Sequence, residues 1–368
     1  MNIEMFDSKL YKLGKYRVRI TRLNALQRGF GHFCYDILLT FKLSEIEGSL
    51  VCLLPTIMYN SAILDLECDN IFKIDQSQLF HKPLKLLENG PPTWPYYRRQ
   101  LIREPIPVRL SESNEKQAIQ SAMKLGFSPG NKIVTLHVRE PGWYPYAGIA
   151  NDTWDNPRNS RIDSYLKAVD FLISIGYTVV RIGDKTSTPI NRSGVIDLAT
   201  SEQRTDLLEL YFLLNSHFLI SSESGVLLES ELTNTPTLAV NVTDPICTYP
   251  VRKDYLFILK HVIDNKNGKA LAMIDMLSEE YQKTNLRDYK RYQYIDNTSD
   301  EILEAVIEMI AHLNGEQQES EKQRQFRNTV VQKSTYLWDK FYYAKKWGAE
   351  EGFIGDSRIA NFFVSRYR

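Results

Sequence analysis

The chain has 368 residues, of which 43% are hydrophobic and 24% are charged, and its formal net charge is zero. This composition is that of a water-soluble globular protein, and the length suits two domains better than one. The zero net charge excludes a global field that would attract nucleic acid or an anionic membrane. The four cysteines, Cys34, Cys52, Cys68 and Cys247, form no CxxC pair, which argues against a zinc site or a disulfide scaffold.

The sequence also predicts a cytoplasmic protein. The N-terminal stretch MNIEMFDSKLYKLGKYRVRI lacks the apolar segment of a signal peptide, and no stretch approaches the roughly 18 consecutive apolar residues of a membrane span. The C-terminal segment YLWDKFYYAKKWG mixes aromatic residues with lysines and allows at most peripheral contact with the inner face of a membrane. Such a segment more often packs back onto its own domains.

The first hundred residues predict an α/β unit, which we delimit at residues 1–110. It contains predicted strands at 16–23, 48–54 and 70–74, and a helix at 33–41 that follows the loop NALQRGFGH. The stretch ENGPPTWPYYRRQLIREPIPVRL carries five prolines and predicts a connection between domains or along the surface.

A second unit, residues 111–315, shows a clearer alternation. SESNEKQAIQSAMKLGF predicts an amphipathic helix, and KIVTLHVRE predicts a buried strand rich in β-branched residues. Further strands are predicted at 178–182, 195–198, 218–220 and 237–242, and helices at 162–174, 204–215 and 226–232. Because strands and helices alternate through short links, the pattern predicts a doubly wound parallel sheet.

The last helix of this unit is predicted in TSDEILEAVIEMIAHLNG. Thr298 and Glu301 form a capping-box pattern there, and Gly315 lies beyond the helix end. Residues 316–368, which include the segment SRIANFF, predict a helical segment that packs back on the domains. The predicted fold is therefore α/β, with two Rossmann-like domains and a C-terminal helical tail.

Three segments become polar where predicted parallel strands end: LHVREPGWYPY, VVRIGDKTS and LISSESG. In open parallel sheets, ligands bind beyond the carboxyl ends of the strands, where helix N-termini point. Ser221, Ser222, Ser224 and Gly225 would offer hydroxyl groups and approachable N–H groups to a phosphate or pyrophosphate. The alternative is that Ser221 and Ser222 cap the helix and Glu223 lies in its first turn for dipole reasons.

His137 and Arg139 alternate along one strand and therefore share a face. Arginine forks onto phosphate oxygens and stays charged at any working pH, so Arg139 predicts an anionic partner. A structural ion pair with Glu140 or Asp184 is the alternative. The segment RIGD supports the same argument more weakly, because it also fits a strand that ends in a turn. Its candidate residues are Arg181, Gly183 and Asp184.

The N-terminal loop QRGFGHFCYD is the remaining candidate. Gly29 and Gly31 permit an open backbone, His32 is of the residue type that serves as a general base near neutral pH, and Asp36 could orient its imidazole. The loop is not a GxGxxG fingerprint, since Cys34 occupies the third glycine position, and the chain has no GxxxxGK[ST] motif. SESG does not fit GxSxG, and no histidine pair has metal-ligand spacing.

Taken in order, RGFGH, LHVRE, RNSRIDSYLKAVDFLISIGYTVVRIGD and LATSEQRTDLLELYFLLNSHFLISSESG resemble a family of bacterial glycosyltransferases of the GT-B type. More distantly, the H-x-R strand is similar to that of O-fucosyltransferases and α1,6-fucosyltransferases. The good match covers about residues 130–245. The chain departs from the fucosyltransferases at Glu140 and Pro141, where they tend to have arginine or aspartate, and this leaves the identity of the donor open.

The resemblance implies a GT-B glycosyltransferase whose C-terminal domain holds a nucleotide sugar and transfers the sugar to a glycan or lipid-linked glycan without a metal or another cofactor. A phosphate-binding role falls on Arg139, and the turn 221–225 would hold the donor's phosphates or ribose. We choose His32 as the base and Glu140 as the second choice, with inversion as the expected outcome. The predicted donor-binding residues are Gly31, His137, Arg181, Gly183, Asp184, Ser221, Ser222, Glu223, Ser224 and Gly225.

Two other functions stay open. A nucleotide-sugar epimerase would use the same fold and donor without an acceptor. A non-catalytic nucleotide- or glycan-binding module would tolerate the loss of His32 and Glu140. A further open point is whether the aromatic residues after LHVRE stack on a base or sugar or pack onto the domain interface. These residues are Trp143, Tyr144, Tyr146 and Trp154.

Overall fold

The computed structural model of the protein describes residues 7–23, 29–56, 59–79, 82–88, 104–142, 153–245, 252–284, 290–341 and 356–366, with side chains except at 153–155, 283–284 and 334–341. Most of the proline-rich connection, the aromatic side chains after LHVRE, and the side chains of YLWDKFYYAKKWG with its residues after Phe341 lie outside this description. No helix within the described ranges is long and apolar enough to cross a bilayer.

The described ranges contain strands and helices in alternation. The strands are β1 (Asp7–Leu13), β2 (Tyr16–Leu23), β3 (Leu50–Pro55), β4 (Glu67–Cys68), β5 (Lys85–Glu88), β6 (Val108–Arg109), β7 (Lys132–His137), β8 (Tyr177–Arg181), β9 (Val195–Asp197), β10 (Ser216–Ser221), β11 (Thr237–Val242), β12 (Leu256–Leu259), β13 (His261–Asp264), β14 (Lys269–Ala270), β15 (Tyr292–Ile295) and β16 (Arg358–Ile359). The helices are α1 (Phe30–Glu47), α2 (Ser61–Leu64), α3 (Glu112–Lys124), α4 (Leu166–Ser174), α5 (Asp206–Leu214), α6 (Val226–Thr233), α7 (Glu279–Thr284), α8 (Ser299–Leu313), α9 (Glu321–Phe341) and α10 (Asn361–Arg366).

A seven-stranded parallel sheet forms the centre of the second unit. Its strand order is β16-β12-β11-β10-β7-β8-β9, and every neighbouring pair runs parallel. The chain runs outward from β7 through β8 and β9, returns to the other side of β7 as β10, and continues to the opposite edge. The predicted doubly wound sheet is therefore confirmed, and the strand order reverses between β7 and β10.

Both faces of this sheet are buried, which is why its strands read as nearly continuous apolar runs. Val134 and Phe218 point into one hydrophobic cluster, which includes residues of α4 and α8, whereas Ile133 and Leu219 point into the other. The second cluster also contains residues of α3, α5 and α6. Helices on both faces make this an α/β fold, as predicted.

The first unit is built on a mixed sheet with the order β3-β2-β1-β5. Only β2 and β3 run parallel, with α1 as the crossover between them, while β1 pairs antiparallel with both β2 and β5. This differs from a Rossmann-like sheet, because β1 and β2 are joined by a two-residue turn at Gly14 and Lys15, and so short a connection requires an antiparallel pair. Residues 70–74, predicted as a strand, form only isolated bridges.

Helix α1 connects the two units. Thirteen of its eighteen residues are buried, and side chains such as Phe33 and Leu38 share a hydrophobic cluster with Leu213 of α5 and Leu232 of α6. A helix that is apolar on most sides requires partners on most sides. The first unit therefore packs against one face of the large sheet through α1. The domain limits at residues 110 and 315 stay predictions.

The C-terminal residues return to the large sheet. The capping box at Thr298 and Glu301 forms as predicted at the start of α8. Further on, β16 adds the seventh strand beside β12, and the carboxylate of Glu308 on α8 accepts a hydrogen bond of 2.6 Å from the N–H of Asn361. This buried carboxylate thus fixes the start of α10.

Candidate ligand-binding site at the strand-order reversal

The carboxyl ends of β7 and β10 lie side by side where the strand order reverses. His137 and Ser221 are paired in register. Beyond them, the N–H of Ser222 donates to the carbonyl of His137 at 3.2 Å, and the hydroxyl of Ser222 accepts from the N–H of Arg139 at 2.8 Å. Two of the three polar segments singled out in the sequence are thus held together at the crevice where open α/β sheets bind ligands.

The turn between β10 and α6 is held by its own serines. The fully buried hydroxyl of Ser221 donates to the carbonyl of Ser222 at 2.8 Å, and the hydroxyl of Ser224 accepts from the N–H of Val226 at 3.3 Å. The N-cap of α6 is Gly225, without a side-chain cap, so Ser221 and Ser222 do not cap this helix. Within the described part of the chain, the N–H groups of Ser224 and Gly225 have no acceptor; this is common at helix N-termini, and such groups can bind an anion.

The N-termini of α1 and α6 meet at two glycines. A Cβ on Gly225 would lie 2.7 Å from the Gly31 nitrogen, and a Cβ on Gly31 would lie 2.9 Å from the Gly225 Cα. The loop RGFGH and the turn SSESG are therefore in backbone contact, although 194 positions separate the two glycines. The partly buried His32 lies in the first turn of α1, next to this contact.

Arg139 is held by side chains that come from outside its strand. Its Nη1 donates to the Oδ1 of Asn159. The carbonyl of Asn159 accepts a hydrogen bond of 2.6 Å from the buried Nζ of Lys260, which also donates to Asp296 at 2.6 Å. Burial lowers the pKa of Lys260, although Asp296 opposes that shift. The guanidinium of Arg139 is thus oriented at the crevice by a chain of polar contacts that extends to β12.

His137 stays neutral at physiological pH. Burial lowers its pKa to about 4, and the positive charges of Arg181 and Arg139 act in the same direction. Its Nδ1 lies 3.3 Å from the carbonyl of Ile182, and a Cβ on Gly183 would approach it to 3.7 Å. His137 therefore presents an uncharged imidazole beside the ends of β7 and β8.

Glu140 and Arg181 form an ion pair. Arg181 is fully buried, and its guanidinium donates to Glu140 and to the carbonyl of Thr188, with Asp197 at 3.7 Å. Glu140 also accepts from the N–H of Thr188 at 3.0 Å and from its hydroxyl at 2.7 Å. The pair fixes the loop after β7 to the loop after β8.

The remaining predicted residues shape the loops around the crevice. Asp184 accepts from the N–H of Thr186 at 2.8 Å, and the N–H of Gly183 donates to Glu209 at 3.1 Å. The buried Glu223 accepts from the N–H of Thr243 at 2.8 Å. Glu223 thus precedes α6 and joins the serine turn to the end of β11 instead of lying in the first helical turn.

Sequence reasoning assigned no role to Asn159, Lys260 or Thr243. Asn159 lies in the quoted segment RNSR, but nothing there indicates that it contacts Arg139. The described residues contain no group of three or more histidine, cysteine, aspartate or glutamate residues that could hold a metal ion.

The chain matches no protein-family profile and no curated protein. Among solved structures, it is similar to the bacterial iron-containing dodecameric glycosyltransferase TibC from enterotoxigenic E. coli H10407, with a TM-score of 0.41 and 12% identity over 76% of this chain and 71% of TibC. It is also similar to E. coli ADP-heptose LPS heptosyltransferase II (TM-score 0.35, 15% identity, 57% of this chain). A glycosyl transferase family 9 protein from Veillonella parvula DSM 2008 gives a TM-score of 0.36 at 10% identity over 56% of this chain. The chain spans about half the length of these last two proteins, 54% of each, and all three TM-scores lie below 0.5.

Proposed function

We propose that the protein is a glycosyltransferase of the GT-B type, which moves a sugar from a nucleotide-sugar donor to a carbohydrate acceptor, in particular a surface glycan or its lipid-linked precursor. The observation that carries the proposal is the meeting of three features at the strand-order reversal. They are Arg139 beyond the end of β7, whose N–H donates to Ser222, the serine turn after β10, and the N-terminus of α1 against that of α6. We place the reaction in the cytoplasm.

The donor's diphosphate is the group that best suits this crevice. Two adjacent helix N-termini carry partial positive charge, and an arginine is the side chain that binds phosphate oxygens bidentately. Gly225 lets an anion approach the backbone, and the N–H groups of Ser224 and Gly225 are suitable donors to it. The neutral His137 adds a hydrogen-bonding group without another charge.

The same groups would stabilise the charge that develops on the leaving nucleoside diphosphate. Preorganised donors aimed at a developing charge are the largest single contribution in many enzymes, and here they would serve without a metal. We assign His32 as the base that removes the proton of the acceptor hydroxyl. Direct displacement by that hydroxyl would invert the anomeric centre. For Glu140, which is bound by Arg181 and Thr188, we propose that it positions the loop of Arg139.

A thermal-shift screen tests the donor site. The purified protein is heated with GDP-, UDP-, CMP-, dTDP- and ADP-sugars, with magnesium and with a chelator. A ligand present at 100 times its Kd stabilises the folded state by about 2.7 kcal/mol, so we expect an upward Tm shift of several degrees with one nucleotide class, equal in both buffers. Arg139→Ala should abolish the shift, and Arg324→Ala, at a half-exposed arginine on α9, should retain it. The absence of a shift with every nucleotide would refute the donor site.

Turnover then separates the three candidate functions. Transfer predicts that donor is consumed only when an acceptor glycan is added, whereas an epimerase would convert the donor without an acceptor. A binding module would bind the donor and leave it unchanged. If His32 is the base, His32→Ala should lower kcat by roughly 10²–10⁴-fold while the nucleotide-induced Tm shift remains.

A further inference from the structure

A cavity of about 780 Å³ lies in the first unit, away from the strand-order reversal. Its walls come from the β1–β2 turn, the start of β3, and Lys73, Ile74, Ser77, Gln78 and Lys82. α1 begins at the donor site and ends at Glu47, three residues before Leu50 in the cavity wall. At 1.5 Å per residue, the eighteen residues of α1 place the cavity about 27 Å from the donor site. The cavity is therefore a separate site.

The described residues that line the cavity carry positive charge and no acid. Lys15, Lys73 and Lys82 are the charged members of this lining. Asp75 lies beside this lining: its carboxylate accepts from the N–H of Ser77 at 2.7 Å, and hydrogen bonds from Ser77 hold the pKa of Asp75 below its usual value, so this carboxylate is ionised and offsets part of the positive charge. The Nζ of Lys73 donates to the carbonyl of Leu64 and is attracted by Asp65 and Glu67, so Lys15 and Lys82 are the ammonium groups of this lining that remain to attract an anion.

The cavity also offers a flat apolar surface and neutral polar groups. The ring of Tyr16 is 51% exposed, and the Nζ of Lys15 lies 5.2 Å from its centroid. Ser77 and Gln78 add a hydroxyl and an amide to the wall. An aromatic face beside amide and hydroxyl groups matches the apolar face and the hydroxyl groups of a sugar ring, and the lysines match a carboxylate or phosphate carried by that sugar.

We propose that this cavity binds an anionic oligosaccharide, namely a distal part of the acceptor glycan whose growing end reaches the donor site. The acceptor role rests on the proposed glycosyltransferase function, whereas the binding of an anionic oligosaccharide does not. The separation along α1 would let one extended glycan occupy both sites. The cavity would then hold the acceptor chain while its terminal sugar reacts.

Titration calorimetry on the full chain tests the site, with hexagalacturonate as the anionic probe and maltohexaose as the neutral comparison. We expect hexagalacturonate to bind, with an affinity that falls as salt is added, and maltohexaose to bind far more weakly. Lys15→Ala with Lys82→Ala should weaken hexagalacturonate binding about tenfold, because the double variant removes two exposed ion pairs with the ligand. Tyr16→Ala should weaken it independently of salt.

The control variant combines Lys116→Ala and Lys322→Ala, two exposed lysines on α3 and α9. It should bind hexagalacturonate as the wild type does. Equal losses in both double variants, equal binding of the two oligosaccharides, or no binding at all would each overturn the proposal. Binding to phosphatidylglycerol vesicles that depends on Lys15 and Lys82, without oligosaccharide binding, would assign the cavity to a lipid and overturn it as well.

The nucleotide screen keeps the two proposals distinguishable. Lys15→Ala with Lys82→Ala should leave the nucleotide-induced Tm shift unchanged, while Arg139→Ala should leave hexagalacturonate binding unchanged. Oligosaccharide binding without any nucleotide shift would support the cavity and refute the donor site. A nucleotide-induced Tm shift without oligosaccharide binding would support the donor site and refute the cavity as an oligosaccharide site.

Discussion

Gly225→Ala should destabilise the protein, although alanine usually stabilises a position with helical backbone angles. Gly225 has φ −62° and ψ −23°, which alanine adopts without strain. By reducing the conformational freedom of the unfolded chain, the substitution would by itself stabilise the protein by about 0.4–1 kcal/mol. The glycine is needed for space, since the α1 backbone lies where a Cβ would be.

The size of the effect follows from the contact distance. The added Cβ would lie 2.7 Å from the Gly31 nitrogen, whereas ordinary contacts begin at 3.4 Å, so α1 and α6 must separate by the difference of 0.7 Å. Overpacking of a well-packed contact costs about 1–3 kcal/mol. After the gain from the unfolded state is subtracted, the expected loss is roughly 1–2 kcal/mol.

Urea unfolding of the wild type, Gly225→Ala, Gly31→Ala and the double variant measures this loss, with Ser113→Ala on the exposed face of α3 as the control. The double variant should lose less than the sum of the single losses, because the first methyl group already separates the helices. Nucleotide binding should weaken in the same variants. A Gly225→Ala protein that is more stable than the wild type would refute the close approach of α1 and α6.

Three further predictions concern other parts of the molecule. Because His137 has a pKa of about 4 in the folded state and a higher one when unfolded, only the unfolded state binds its proton between these values. The free energy of unfolding should therefore fall as the pH drops from about 6.5 to 4, by at most about 3 kcal/mol. In urea titrations, His137→Gln should lack this part of the pH dependence. Asn159→Asp would place a carboxylate on the Arg139 guanidinium and should weaken nucleotide affinity, measured by thermal shift, more than Asn159→Ala does. If Asn159 has only a structural role, the aspartate variant should instead lose less affinity than the alanine variant. Glu308→Ala removes the acceptor of the Asn361 N–H and should speed proteolysis in residues 358–366 without changing nucleotide affinity; unchanged cleavage would contradict this role.

The sequence was sufficient to predict the strands from β7 to β11 and the helices between them, because most of these strands are apolar runs between polar turns, whereas β12, β13, β14 and β15 of the same unit were not predicted. The predicted limits of the strand at 237–242 agree with β11, and the capping box at Thr298 forms as expected. The first unit was harder, since strand direction depends on which segments pair. The alternation in DSKLYKL and the Gly14 turn were local signs of the β1–β2 hairpin, but β16 is two residues long and carries no periodic pattern.

The candidate site was also predicted only in part from the sequence. Polar segments after β7, β8 and β10 were recognisable because parallel strands end at one edge. The sequence could not show that Gly31 touches Gly225, or that Arg181 rather than Arg139 binds Glu140. Asn159 and Lys260 were missed because their roles depend on contacts between distant segments, which no local motif records.

The position of β16 in the sheet has a consequence for how the protein is made. β12 gains its outer neighbour only from Arg358 and Ile359, about a hundred residues further along the chain. At about 5–20 residues per second, a ribosome needs on the order of 5–20 s to synthesise that interval. During this time the nascent sheet exposes an unpaired edge, which is a template for association with other chains. Chaperone demand should therefore be greatest late in translation, and a stop codon shortly before position 358 should produce aggregates rather than a slightly shorter soluble chain.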